Sequence, residues 1–184
     1  IEVVENDRPR IDYTDSADGV LLLEPQRTNL ITYSNDFSNS FWGKTKGGVG
    51  VVPVVTSNYA TSPDGTQNAD RIIFDIGTST SSSDISQLQA SSIVMSGDYT
   101  NSLYLKSNTG TEYDMTLLEP DGSAISITIT SVWQRFTTAD TVNATDIPIK
   151  LRLRGNESTS KYADISIYGA QLEVGSLSSY IPTQ

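Results

Sequence analysis

The amino-acid sequence predicts an all-β chain folded as an antiparallel β-sandwich of jelly-roll type, and three observations carry that prediction. Apolar and polar residues alternate with a period of two in many short segments, as where Leu103 and Leu105 interleave with Ser102, Tyr104 and Lys106. Clusters of Gly, Pro, Asn and Asp punctuate those segments at roughly even spacing, which is what short strands joined by tight turns require. No segment sustains a helical apolar period, so nothing competes with strands for the core.

In chain order, residues 1–27 read as an N-terminal lead-in or strap. Its polar, Pro-broken start (Glu2, Glu5, Asp7, Arg8, Pro9, Arg10) is followed by turn residues 15–19 and the apolar run Val20 to Leu23. Residues 28–184 read as the sandwich. Asn29 to Ser34 is a strand candidate, Asn35 to Ser40 an oxygen-rich loop ending at Phe41 and Trp42, and Gly43 to Gly50 a Gly- and Lys-rich loop. Val49 to Thr56 is β-branched but carries Pro53, which cannot donate to a ladder and so marks an edge or bulged strand. Ser57 to Asp70 is a long turn region built around Pro63-Asp64-Gly65, and Arg71 to Ile76 a strand with Ile72, Phe74 and Ile76 on one side.

Thr78 to Ser83 is a Ser/Thr loop, and Ile85 to Val94 fits either a strand pair or irregular chain. Glu112 to Leu118 and Ala124 to Thr130 flank the hairpin signal Glu119-Pro120-Asp121-Gly122. Val132 to Thr138 and Ile149 to Arg154 keep the same period, and in Lys161 to Glu173 the residues Ala163, Ile165 and Ile167 alternate with Tyr162, Asp164, Ser166 and Tyr168. That last segment is expected to be a half-buried strand.

The length of 184 residues fits one domain with a core large enough to need no covalent staple. With 12 basic against 22 acidic residues, a net charge of -10, neither nucleic acid nor an anionic membrane is expected as the partner. No apolar run approaches the ~20 residues of a membrane span. Cysteine and histidine are both absent, which excludes disulfides, Ser-His-Asp and Cys-His nucleophile systems, and zinc held by His or Cys. Any metal would have to be a hard cation held by oxygens. Glu112, Tyr113 and Asp114 lie close enough to suggest glycosidase or lyase chemistry, but neighbours on a strand point to opposite faces and nothing orients them. A non-enzymatic protein is therefore expected. The first residue is Ile1 and no signal-peptide layout is present, so the chain reads as a piece of something longer.

Several stretches together resemble a jelly-roll module common in bacteriophage tail and virion-appendage proteins. They are residues 22–30, Tyr33 to Phe37 with Phe41 and Trp42, residues 62–66 with Ala69-Asp70-Arg71, Ser102 to Lys106, Val132 to Phe136, and Tyr168 to Glu173 with Ser179 to Thr183. Such modules are similar to the xylan- and glucan-binding carbohydrate-binding modules of the family 4, 9 and 22 type. The resemblance implies a concave sheet face for polysaccharide or cell-surface glycan, a virion or extracellular location as part of a larger phage protein, and a structural calcium. In that calcium reading Asn35, Asp36 and Asp164 are the implied ligands, with Ser38 standing where a glutamate would be expected. The bland alternative is an Asx-turn at Asn35-Asp36 and a solvated Asp164.

Pyranose rings present C–H faces to aromatic side chains and hydroxyls to planar polar groups. With Leu103 and Leu105 inside, Tyr104 and Lys106 point outward; with Leu151 and Leu153 inside, so do Lys150, Arg152 and Arg154. Trp133 and Arg135 share a face of the next strand, and Trp42 is a further aromatic, although core or rim packing is the stronger reading for either Trp. The expected carbohydrate-binding set is therefore Tyr104, Lys106, Arg152, Arg154, Trp133, Arg135 and Trp42. The rival expectation is a structural or oligomerisation element, with trimer contacts through Val20 to Leu23 and Tyr180-Ile181-Pro182.

Overall fold

The computed structural model describes residues 10–12, 20–22, 26–119 and 123–184. Two short strands, β1 (Arg10–Asp12) and β2 (Val20–Leu22), pair antiparallel as a ribbon of their own. The remaining strands are β3 (Gly43–Gly47), β4 (Val51–Ala60), β5 (Ala69–Asp75), β6 (Ile85–Gln89), β7 (Ile93–Ser107), β8 (Tyr113–Leu118), β9 (Ala124–Ile129), β10 (Gln134–Asp146), β11 (Lys150–Arg154) and β12 (Tyr162–Val174). They form two five-stranded antiparallel sheets, in the orders β10-β7-β12-β5-β4 and β3-β6-β11-β8-β9. From β5 onward the chain passes repeatedly from one sheet to the other, the connectivity of a jelly roll, and no helix occurs among the described residues.

The period of two explains the core. Ile72, Phe74, Leu103, Leu105, Ile165 and Ile167 project from the first sheet, and Leu88, Met115, Leu117, Leu151 and Leu153 from the second, none more than 1% exposed. β4 lies at a sheet edge, as Pro53 requires. The undecided stretch 85–94 contains β6 and the start of β7.

Three expectations are corrected. Gly43 to Gly47 forms a strand, pairing with β6 from Gly43↔Gln89 to Gly47↔Ile85. A Cβ on Gly47 would meet the Ser83 carbonyl oxygen at 2.5 Å, so its glycine serves close backbone approach and not mobility. Asn29 to Ser34 is not a strand. The Asn29 amide donates to the Ala170 and Ile181 carbonyls at 3.0 and 2.9 Å and accepts from the Leu172 N–H at 3.1 Å, doing with one side chain what a ladder would do. β12 is not half-buried but buried on both faces: it lies mid-sheet, and the segment after it folds back across its outer side. Tyr180 in that segment is only 7% exposed, so its ring is spent inside its own chain and not available for a trimer contact.

Candidate functional site

Strand register sets the outer face of the first sheet in rows. One row runs Lys106↔Ser166↔Arg71↔Thr56 across β7, β12, β5 and β4. Trp133 extends it, since Gln134 pairs with Leu105 and Trp133 precedes β10. The neighbouring row, Arg135↔Tyr104↔Tyr168, continues through Ala69↔Ala60. On the other side lies Asp164↔Ile73.

The Tyr104 row is closed. Tyr168 sits between Tyr104 and Tyr180, with ring centroids 6.0 and 5.1 Å apart. Tyr168 Oη donates to Asp64 Oδ2 at 2.8 Å and Tyr180 Oη to Asn35 Oδ1 at 2.7 Å. Burial pushes both phenols well above their ordinary range, so they stay protonated donors. Gly169, at φ 65°, leaves a Cβ position only 3.1 Å from the Tyr104 ring, so no larger residue fits beneath this cluster.

The Lys106 row stays open. Lys106 Nζ lies 5.4 Å from the Trp133 ring centre, and the Arg71 guanidinium 5.0 Å from that of Tyr59. Trp133 Nε1 donates to the Thr61 carbonyl at 3.1 Å, which fixes the indole across the sheet. Arg71 is held from below by Asp164, Nε to Oδ1 at 2.8 Å with a second bond from Nη2 to Oδ2. Asn108 Nδ2 also donates to Asp164 Oδ1 at 2.9 Å, and Ser166 Oγ to Asn108 Oδ1 at 2.7 Å. The bonds from Arg71 hold the Asp164 carboxyl below its usual value although burial opposes them, and bonding to Asp164 raises Arg71 further. Tyr59 and Tyr162 stand 45% and 44% exposed at the borders. The result is a strip of aromatic faces and cations over a hydrogen-bonded polar floor, which can pack sugar C–H faces and bond hydroxyls.

Of the expected sugar-binding residues, the structure brings Lys106 and Trp133 together on this strip and separates the rest. Tyr104 is 7% exposed, packed beside Tyr168. Arg135 lies over the Tyr104 ring and spends its guanidinium on the Ser178 carbonyl at 2.8 Å and Ser102 Oγ at 3.0 Å. Trp42 is 1% exposed, packs on Phe37 at 4.8 Å and donates to the Tyr33 carbonyl, which makes it a core residue. Arg152 and Arg154 belong to β11 in the second sheet, on the opposite surface of the sandwich. Both are held by Glu157, with Arg152 Nε at 3.0 Å and Arg154 Nη1 at 2.7 Å. Arg71 and Tyr59 were missed. Arg71 was legible, since Ile72 and Phe74 inward put it outward, whereas Tyr59 falls in what reads as a turn region.

Asn35, Asp36 and Asp164 do not fit a shared calcium. Asn35 Oδ1 accepts from the Gly169 N–H at 3.0 Å and from Tyr180. Asp36 Oδ1 accepts the N–H groups of Ser38 and Asn39 at 3.1 and 3.2 Å, closing its own turn. Asp164, committed to Arg71, lies five residues before Gly169, roughly 16 Å along the strand. Among the described residues no group of three or more acidic side chains is arranged to hold a metal.

No family model matches the sequence, and no curated protein matches it. Solved structures do. The family 11 carbohydrate-binding module of the cellulosomal cellulase Lic26A-Cel5E of Clostridium thermocellum superposes with a TM-score of 0.51 at 14% identity, over 86% of this chain and 100% of that one. The N-terminal tandem of two family 22 modules from Paenibacillus barcinonensis Xyn10C gives 0.51 at 15% identity, over 83% of this chain and 47% of that one. The fold is the jelly-roll β-sandwich of carbohydrate-binding modules.

Proposed function

We propose that this protein is a non-catalytic carbohydrate-binding module, which attaches a larger, phage-derived protein outside the cell to a polysaccharide or cell-surface glycan. The observation that carries the reading is the row in which Trp133, just before β10, Lys106 on β7 and Arg71 on β5 are aligned over the buried Ser166 of β12, placing an indole and two cations on one outer face. The jelly-roll fold shared with carbohydrate-binding modules supports it, and the phage setting rests on the resemblance of the sequence stretches. Lys106 and Arg71 above Asp164 suit both neutral and uronate-bearing chains. Contact through few residues gives modest affinity per copy, and several copies on one particle raise it by avidity.

Native electrophoresis through gels containing a neutral xylan or glucan, or an acidic polysaccharide, tests the proposal. Retarded migration in at least one gel, lost in Trp133→Ala, is the expected result; unretarded migration in all of them overturns it. One observation favours a second reading, assembly without sugar binding: the edge strand β4 exposes Val51, Val52 and Val54 at 49%, 43% and 57%. Light scattering that shows oligomers, with no retardation in any gel, would select it.

A further inference from the structure

A cavity of about 390 Å³ opens beside the border of the sheet-face strip, with Tyr33, Asp36, Asn58, Asn68, Pro182 and Thr183 in its walls. Its volume lies at the small end of the ~300–1,000 Å³ usual for small-ligand sites. It shares no side chain with the strip.

Three independent features mark it out. Tyr33 at φ 54° and Asn58 at φ 53° are the two non-glycine residues with left-handed backbone among the described residues, and both line this cavity. Asparagine tolerates that conformation, but a tyrosine does not adopt it without strain where glycine would, so keeping Tyr33 there points to a use for its side chain. The strained backbone is held from beneath. The Asp70 carboxylate, 1% exposed, accepts the Asn58 N–H and the Phe37 N–H at 2.9 Å each, tying the end of β4 to the 35–42 loop. Trp42 Nε1 meanwhile donates to the Tyr33 carbonyl. Lastly, Asn68 Nδ2 donates to Asp64 Oδ2 at 3.0 Å, while its Oδ1 is shielded from solvent and has no hydrogen-bond partner.

The wall chemistry specifies the ligand class. A half-open phenol, carboxamides, a carboxylate and a prolyl ring suit a compact ring bearing several hydroxyls. The one charged side chain in the wall is Asp36, and the ammonium of Lys44 is spent on the carbonyls of Phe37, Ser38 and Asn39. That field disfavours sialate and uronate. We infer that this cavity is a second saccharide site, which takes a single neutral pyranose unit such as a glycan chain end or branch. The inference deepens the carbohydrate-binding reading but stands on different residues.

The test is a titration followed by the side-chain amide NMR signals of Asn58 and Asn68 and by the Trp133 indole signal. Probes are the methyl glycosides of glucose, galactose, N-acetylglucosamine and glucuronic acid at millimolar concentrations. Saturable shifts of both amides with at least one neutral glycoside, unchanged in Trp133→Ala, are expected. Asn58→Gly should weaken that response at least fivefold, read at Asn68, while the melting temperature holds or rises because glycine suits the left-handed backbone at least as well. No saturable amide shift with any neutral glycoside, or full binding in Asn58→Gly, overturns the site whatever the polysaccharide gels show. Loss of gel retardation with the amide shifts intact would instead remove the strip and leave the cavity standing.

Discussion

The two outer surfaces of the sandwich carry the same kind of side chain to opposite ends. On the second sheet, Arg152 and Arg154 project outward from β11 and Glu157 in the next loop takes bonds from both, which closes off the Arg152 side chain at 11% exposed and leaves that of Arg154 at 30%. On the first sheet, Arg71 pairs with Asp164 on the adjacent strand, beneath it, which leaves the upper side of the guanidinium against Tyr59 and the row open. The lesson is that an outward cation reads as a ligand-binding group only once the position of its counter-charge is known. Glu157 covers Arg152, whereas Arg71, paired within its own sheet, keeps 29% of its side chain exposed.

The largest effect that sharpens this contrast is expected on the closed surface. Glu157→Ala strands two partly buried guanidiniums and should cost about 2–3 kcal/mol in denaturant unfolding, while gel retardation is unchanged. Burial pushes the Glu157 carboxyl up, but bonds from Arg152 and Arg154 outweigh it and leave it below the ordinary value. A depressed carboxyl stabilises fully above its unfolded pKa of about 4.3 and progressively less as pH falls through the folded value. In chemical denaturation, wild type should therefore lose stability more steeply than Glu157→Gln on acidification below that point.

Next in size, Trp133→Ala should weaken polysaccharide binding at least about tenfold, or ~1.4 kcal/mol, and lower the melting temperature as well, because the indole packs on the tyrosine cluster and bonds to Thr61. Arg152→Ala should lower stability and leave binding unchanged, and equal losses of binding in the two would break the comparison. Tyr180→Phe removes the hydroxyl bonded to Asn35 and should cost about 1 kcal/mol. Because Tyr168 and Tyr180 ionise more readily unfolded than folded, their contribution is complete below the unfolded pKa of about 10 and declines as pH rises beyond it. Melting curves across that range should show the decline, and a smaller one in Tyr180→Phe. Least of all, Lys106→Ala should reduce binding about threefold, in keeping with the ~0.5–1 kcal/mol of an exposed cation–π contact, and more at low salt for an acidic polysaccharide.

The sandwich was legible because its signal is local. Leu103 and Leu105, Leu151 and Leu153, and Ile165 and Ile167 face the core as the period of two requires. The same period put Lys106 and Arg152 outward correctly, yet alternation distinguishes inside from outside and not one sheet from the other, so residues on opposite surfaces read as one patch. Tyr104 points outward as expected and is buried because the Tyr168 ring packs beside it and Arg135 lies over it, while Tyr180, 76 positions later in the chain, packs on Tyr168 in the same cluster. Trp42 was ambiguous from composition, and its fate was decided by the Phe37 and Phe41 rings that enclose it. Asp164 was recognised as a buried acid in need of a partner, but the partner is Arg71 from the neighbouring strand and not a cation from solution.

The chain contains two tryptophans, and Trp42 is sealed in the core, so ligand-dependent emission reports on Trp133. Titration of intrinsic fluorescence with an oligosaccharide from whichever polysaccharide retards the protein therefore tests the open row most directly. A saturable blue shift that survives Trp42→Phe and disappears in Trp133→Phe is the predicted result. Saturable binding by calorimetry with no change in Trp133 emission would show that the saccharide sits elsewhere and would contradict the account.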